Sequence, residues 1–415
     1  MRAVVVGGGV AGLVAARELV LLGHDVELLE ASDRFGGMIR GLELGGVVVD
    51  AGAEAFATRG GDVEALCAEL GLEVALPAAR SSVWWPDRGS FPLGIGPLGI
   101  PAGIDDPALA VLSDDERARV ALDLTEPVGE VGVTVADLVA GRLGEAALRR
   151  LVAPLTQGVY RMTPEAMPVD RFAPGLAEET RRHGSLLRAV AARPAEPSVA
   201  QPVGGMHVLV AALVDWLRGA GAELHTGRPV VSLADLGVEP GAVKVVLATP
   251  AAVTANFLVP LGVMFTPPAI SRADSLLLAL ATPALAADPL GSGVLLGERP
   301  ETMAIRALTH YSAKWPWARR PGTEVLRVAL ADVGASLVRV LDDVGLILGT
   351  PVAAGDVIDH ARVHWDGVPR VLAAQERGDL LGRLAGSGIG VAGAWLAGNG
   401  LAAVVSQARE VARCV

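Results

Sequence analysis

The stretch Ala3-Val4-Val5-Val6-Gly7-Gly8-Gly9-Val10-Ala11-Gly12 decides the fold of this chain. Ala3–Val6 is a short apolar run, the pattern of a buried parallel strand. A helical pattern runs from Val10 to Leu22 and stops at Gly23, a residue suited to a helix end. A second apolar strand, Val26–Leu29, leads into Glu30, 23 residues after Gly7. Each glycine has its own task. Gly7 permits the tight strand-to-helix turn, Gly9 leaves room for a pyrophosphate against the backbone, and Gly12 lets helix and strand pack closely. Together with Gly8, Val10 and Ala11 they place phosphates at the positive end of the helix dipole. Glu30 is positioned to accept hydrogen bonds from ribose hydroxyls, and a carboxylate there disfavours a 2′-phosphate. A lone Gly-x-Gly-x-x-Gly is a weak signal; the strand before it, the helix after it and the acid at this distance make it a Rossmann-type α/β nucleotide site.

Two later blocks say which nucleotide. Ala31-Ser32-Asp33-Arg34-Phe35-Gly36-Gly37-Met38 follows the acid, and Val47-Val48-Val49-Asp50-Ala51-Gly52-Ala53-Glu54-Ala55-Phe56 comes after it. The pair resembles the extended FAD signature of the amine oxidase and protoporphyrinogen oxidase superfamily. The resemblance implies that Ala31, Arg34, Gly37 and Met38 pass close to the cofactor. It also implies that Gly52, Ala53, Glu54 and Ala55 run past the flavin, so FAD is the expected cofactor.

The whole chain is compatible with that start. Its 415 residues suffice for two or three domains and a large core, and 51% hydrophobic residues fit a compact enzyme. The net charge of −11 gives no electrostatic reason to bind nucleic acid. Cys67 and Cys414 are the two cysteines, without metal or redox-pair spacing, which points to a reduced, cytoplasmic setting. The first strand begins almost at Met1, so no leader peptide is expected. Leu384–Ala408 carries no charge, but its six glycines make a poor lipid-facing helix, and a buried cofactor-covering segment is the preferred reading.

Residues 98–193 look helical, with Asp114–Leu124 and Val135–Leu151 as the clearest stretches. Ala192–Gln201 is rich in Ala and Pro and reads as a linker. Gly204-Gly205-Met206 then opens an amphipathic helix, His207–Arg218. Glu223–Leu233, Val243–Leu247 and Thr323–Leu330 read as strands, and Ala402–Arg413 as a last helix.

Beyond the flavin signature, the chain resembles the protoporphyrinogen/coproporphyrinogen oxidase family over most of its length, in its actinobacterial form. Gly204-Gly205-Met206 is similar to the family's Gly-Gly-Leu helix start, and Thr226-Gly227-Arg228-Pro229-Val230 to its second FAD-contacting strand, with Val230 near the adenine. Pro154–Tyr160 resembles a Pro-Leu-x-x-Gly-Val-Tyr segment, and Ala307–Trp315 an Ala-x-Thr-x-x-Ser-x-Lys-Trp segment. Arg362, Trp365 and Pro369 match an Arg-Trp…Pro segment. Gly393–Leu401, with Gly398 and Asn399, is similar to the FAD-covering segment, which continues into Ala403-Val404-Val405. The chain departs from the pattern at Ala331-Asp332, at Arg370, Val371 and Gln375, and at 403–405.

The resemblance implies a discontinuous FAD domain (1–58, 199–262, 385–415), a sheet-based substrate domain (59–97, 263–384) and a helical domain (98–198). It implies cofactor contacts from Gly398, Ala403, Val404 and Val405. It also implies the reaction: oxygen-linked oxidation of a porphyrinogen to a porphyrin in haem biosynthesis, most readily coproporphyrinogen III to coproporphyrin III with hydrogen peroxide formed. Flavin N5 would carry the chemistry, so no catalytic side chain is expected. Arg59 is the candidate propionate partner and Tyr160 a candidate cavity residue. No metal is expected. Arg181, Arg182, Arg188 and Arg193 form a basic helical stretch suited to peripheral membrane contact, with a solvated face as the alternative. The competing readings are an FAD oxidase of protoporphyrinogen IX, an amine or a polyene, and a non-catalytic flavin- or porphyrin-binding homologue. The oligomeric state is open.

Overall fold

The structure is a computed structural model and describes residues 1–160, 162–194, 198–236, 243–398 and 400–415. It divides into two compact units: residues 1–76, 197–273 and 363–415 form one, and 77–196 with 274–362 form the other. Residues 59–76, 263–273 and 363–384, expected with the substrate domain, belong to the first unit, and the helical segment groups with the sheet in the second.

The first unit is built on a five-stranded parallel sheet in the order Glu223–His225, Asp25–Leu29, Arg2–Val6, Lys244–Leu247, Ile389–Val391. Three distant parts of the chain thus meet in one sheet. Val4, Val5, Leu28 and Leu247 are fully buried, as strands covered on both faces require. The helices Val10–Leu21, Met206–Gly219 and Leu401–Cys414 pack their apolar faces together through Leu13, Val14, Leu209, Leu213, Val405 and Ala408. Each such leucine or valine contributes roughly 1.5–3 kcal/mol by leaving water. The order reverses direction at Arg2–Val6, and ligands of open α/β sheets bind beyond the carboxyl end at such a switch point.

The second unit holds a seven-stranded, mostly antiparallel sheet. Its order is Val357–Pro369, Ile270–Leu280, Glu324–Leu330, Ile305–His310, Gly293–Leu296, Ser82–Trp85, Gly89–Pro92, and residues 274–280 and 357–362 are the parts of the first two strands that lie in this unit. Short helices between 107 and 191 form a second core around Leu138, Val139, Val152 and Leu187. Asp123, fully buried, organises that core. It accepts from Arg142 Nε (2.6 Å), Ser185 Oγ (2.6 Å) and the backbone N–H groups of Leu186 and Leu187 (3.1 and 2.9 Å).

Three local expectations change. The helix expected over Val135–Leu151 ends at Leu143, because Gly144 adopts φ 90°, and a separate helical stretch starts at Glu145. The strand expected over Glu223–Leu233 stops at His225, where Thr226–Pro229 turns and Gly227 (φ 65°) donates its N–H to Ser32 O. The linker expected over Ala192–Gln201 contains the start of a strand, Val199–Pro202, paired with Phe56–Ala57 and Val74–Ala75, while 195–197 lie outside the described residues. Leu384–Ala408 folds as a strand, a short helix and most of the last helix. Among the described residues no helix is long and apolar enough to cross a membrane.

Candidate functional site

At the carboxyl end of Arg2–Val6 the glycines divide by cause. Gly7 sits at φ 107°, and a Cβ there would lie 2.4 Å from Ala248 O. A Cβ on Gly12 would lie 1.8 Å from Gly7 O. Both are therefore imposed by the protein's own packing. Gly9 differs: a Cβ would meet nothing nearer than Gly37 Cα at 3.9 Å. The space it opens is not filled by the chain. It lies at the N-terminus of Val10–Leu21, whose first turn has no side-chain cap. An uncapped helix start facing open room at a glycine fits an anionic phosphate group.

Glu30 is held by three donors: Gly8 N to Oε2 (2.6 Å), and Ser32 N and Oγ to Oε1 (2.8 and 2.7 Å). Its backbone also bonds the second piece of this unit, with Glu30 N to His225 O and Arg228 N to Glu30 O. Val230 follows, half-buried against the cluster containing Val4, Val6 and Leu29. Glu30 and Val230 thus flank the end of Asp25–Leu29, and the carboxylate retains lone pairs for hydroxyl donors.

Arg34 does not reach outward with all its donors. It donates to the carbonyls of Phe35 (3.3 Å), Ile39 (3.0 Å) and Gly37 (2.8 Å), clamping the 35–39 turn. Gly36 N bonds Gly8 O, so that turn lies against the glycine loop, with Gly37 and Met38 exposed. Ala31 is exposed beside Glu30.

The segment after Asp50 is tied at several points. Ala51 N bonds Arg40 O (2.9 Å), Ala53 N bonds Met38 O (3.0 Å), and Trp365 Nε1 donates to Ala51 O (2.9 Å). A Cβ on Gly52 would lie 1.8 Å from Met38 O, so no other residue fits this approach. Gln201, fully buried, donates to Asp50 Oδ2 and to Glu54 O, both at 2.6 Å. Gln201 was missed in the sequence because it closes a stretch whose composition suggested a linker. Gly52 to Ala55 are buried or half-buried along this run.

At the C-terminal end, Gly393 (φ 143°) and Gly398 (φ 119°) flank the short helix Ala394–Ala397. Gln407 fixes the turn by donating to Val391 O and accepting from Gly393 N. Trp395 donates to Thr249 O and stacks on Phe265 at 5.2 Å. Val404 and Val405 are packed in the core (6% and 0% exposed), and Val404 N bonds Gly400 O. Ala403 is exposed. Asn399 lies outside the described residues.

The expected substrate residues lie in different units. Arg59 is exposed in the turn between Phe56–Ala57 and the helix Asp62–Glu69. Tyr160, 42% exposed, belongs to the second unit and meets Phe172 edge-on at 5.3 Å. Just before it, Gly158 lets the helix Ala153–Gly158 approach Gly293–Leu296, since a Cβ would lie 3.1 Å from the Leu295 side chain. Arg181 pairs with Glu178, and Arg193 pairs with Glu179, so half of the basic stretch is spent within the fold.

No grouping of metal ligands was expected from sequence, yet among the described residues two clusters form: Asp288–His310–Glu324 and Glu27–Glu223–His225, each with its ligand atoms within 4.8 Å. Each already contains an arginine ion pair, Arg319–Asp288 and Arg2–Glu27. In the first, Glu324 Oε2 also accepts from Ser312 Oγ (2.6 Å) and lies 3.0 Å from His310 Nε2. Burial, outweighing the Glu324 carboxylate, lowers the His310 pKa below the usual imidazole value.

The comparisons agree with this geometry. Residues 10–415 match the model of the family described as flavin containing amine oxidoreductase. A Mycobacterium tuberculosis protein named coproporphyrinogen III oxidase is 32% identical, covering 97% of this chain and 95% of the relative. Its Mycobacterium leprae namesake is 34% identical over 82% of this chain and 79% of its own. Among solved structures, an Exiguobacterium protein provisionally described as a protoporphyrinogen oxidase superposes with a TM-score of 0.79 at 22% identity, covering 99% and 98% of the two chains. The chain belongs to the flavin-containing amine oxidoreductase family, and it is an oxidoreductase.

Proposed function

We propose that this enzyme binds FAD and oxidises a porphyrinogen to a porphyrin with oxygen as acceptor, with coproporphyrinogen III as the substrate. The observation that carries the substrate is the near full-length similarity to mycobacterial proteins of that name. The Pro154–Tyr160 and Ala307–Trp315 segments add to it. The cofactor reading is supported by the open room at Gly9 beside an uncapped helix start, and by Glu30 and Val230 at a separate adenosine end.

In this reading Gly9, Val10 and Ala11 present backbone N–H groups to the pyrophosphate, Gly8 gives its N–H to Glu30, and Gly7 and Gly12 hold the turn that aims them. Glu30 takes the ribose hydroxyls. Gly52, Ala53, Glu54 and Ala55 form the wall beside the isoalloxazine, with Gly37, Met38, Gly398 and Ala403 as further backbone contacts. A flavin bound there would supply the hydride acceptor, with oxygen as the terminal oxidant and hydrogen peroxide as its product. The protein's own part is to orient the macrocycle and keep competing reactions out, and Arg59 offers a planar fork to a propionate. Cytoplasmic placement goes with this reading.

The departures at Ala331-Asp332, Arg370, Val371 and Gln375 fall on exposed residues. Val371 is 45% exposed and Gln375 bonds Asp379 on its own helix surface. That favours an active enzyme over a degenerate binder. The test is oxygen uptake and porphyrin fluorescence with coproporphyrinogen III and protoporphyrinogen IX side by side. Faster turnover of the tetrapropionate is expected. Turnover of neither above the autoxidation blank, with flavin bound, overturns the reading.

A further inference from the structure

We propose that Gln201 and Asp50 form a buried positioning device for the flavin-facing segment 51–55; this rests on the flavin reading above. Asp50 and Gln201 are both fully buried and lie 151 residues apart in the chain. Asp50 Oδ2 accepts from Gln201 Nε2 (2.6 Å) and from Met206 N (3.0 Å), the first N–H of the 14-residue helix Met206–Gly219. The carboxylate therefore sits at the positive end of that helix dipole, which stabilises a buried anion. Gly205 at φ 107° leaves it room, since a Cβ there would come within 3.1 Å of Asp50 Oδ2.

The amide of Gln201 is doubly used. Its nitrogen donates to Asp50 Oδ2 and to Glu54 O, both at 2.6 Å. Glu54 O belongs to the run expected to wall the isoalloxazine. The same run is fixed at its other end by Trp365 on Ala51 O and by Arg40 and Met38 carbonyls on the Ala51 and Ala53 N–H groups. Val199–Pro202, the strand that carries Gln201, is itself held on both sides by Phe56–Ala57 and Val74–Ala75. A hydrogen-bonded side chain on a rigid strand, reaching the carbonyl of a cofactor-facing segment, is the arrangement that fixes geometry to within a fraction of an ångström. A donor-free side chain at 201 would remove one hydrogen bond from Glu54 O and one from the Asp50 carboxylate.

The test uses the flavin-loaded protein. Gln201→Met keeps the size and removes both donors. Expected are a changed visible circular dichroism spectrum of the bound flavin and a kcat lowered about 10- to 100-fold at nearly unchanged KM, the cost of a small misplacement. Asp50→Leu should behave alike. Asp50→Asn should recover most of the loss, because one amide oxygen can accept from both Gln201 and Met206 as Oδ2 does now. A Gln201→Met protein with wild-type flavin dichroism and kcat, and only a lowered Tm, overturns the proposal. Should that variant not fold, Trp365→Phe removes a single N–H from the other end of the same segment, and unaltered flavin dichroism there overturns it equally. A wild-type protein that holds flavin but oxidises no porphyrinogen sinks the substrate reading alone, since the dichroism comparison still decides this one. A protein that holds no flavin overturns both.

Discussion

Gly9→Ala and Gly12→Ala, a single methyl added at two points of one turn, should fail in opposite ways. Gly12 has no room: the new Cβ would lie 1.8 Å from Gly7 O and 3.0 Å from Gly7 C, both backbone. The helix Val10–Leu21 must then move off the strand, at a cost of at least the ~1–3 kcal/mol typical of overpacking. At ~2–4 °C per kcal/mol, that is a drop of several degrees in Tm before any cofactor is added. Gly9 has room, with Gly37 Cα at 3.9 Å, and its φ of −71° and ψ of 177° suit alanine. The chain-entropy gain of about 0.4–1 kcal/mol offsets a cap loss of similar size, so the apoprotein should melt as wild type does. The methyl instead fills the space assigned to the pyrophosphate. Losing one charge-assisted hydrogen bond there costs ~1.5–3 kcal/mol, or about 10- to 150-fold in flavin Kd. Differential scanning fluorimetry of the apoproteins and titration with FAD, followed by flavin fluorescence, separate the two. Wild-type FAD affinity in Gly9→Ala, or an apoprotein destabilised as much as Gly12→Ala, refutes the assignment of that space.

Three further outcomes follow from buried groups. Asp123→Ala strands the Arg142 guanidinium, whose side chain is 10% exposed, and uncaps Leu186 and Leu187; a loss of about 3–5 kcal/mol in denaturant unfolding is expected. His310 has a lowered pKa in the fold, so the unfolded chain binds more protons near and below pH 6.5; stability should be full above that pH and fall as the pH drops toward the lowered value. His310→Gln should flatten this part of the Tm-against-pH curve, and an unchanged curve would remove His310 from the account. Burial raises the Cys67 thiol to about 11, whereas Cys414 is exposed. A thiol reagent at pH 8 should therefore modify one cysteine in the native protein and both after denaturation, and fast modification of both in the native state would contradict the burial of Cys67.

What was legible in the sequence was local or rested on glycine. The Gly7–Gly12 turn, the helix after it and the acid at Glu30 lie within one strand–helix–strand unit, so their spacing carries their geometry. Backbone positions that need a positive φ or a close approach leave glycines as their mark, as at Gly7, Gly12 and Gly52. Polar side chains joined across long separations leave none. Gln201 and Trp365 hold the segment after Asp50 from 151 and 314 residues away, counted to Asp50 and Ala51; nothing in its own neighbourhood marks Gln201, and the Arg-Trp…Pro segment marks Trp365 without pointing to Ala51. Val404 and Val405 show a third limit. The sequence assigns them to an expected cofactor-covering segment, but the facing of a helix against Val10–Leu21 depends on which neighbour buries it, and here the neighbour takes both side chains. Side-chain substitutions at 404 and 405 should therefore act on stability, and departures from the family's usual residues there carry little weight against flavin binding.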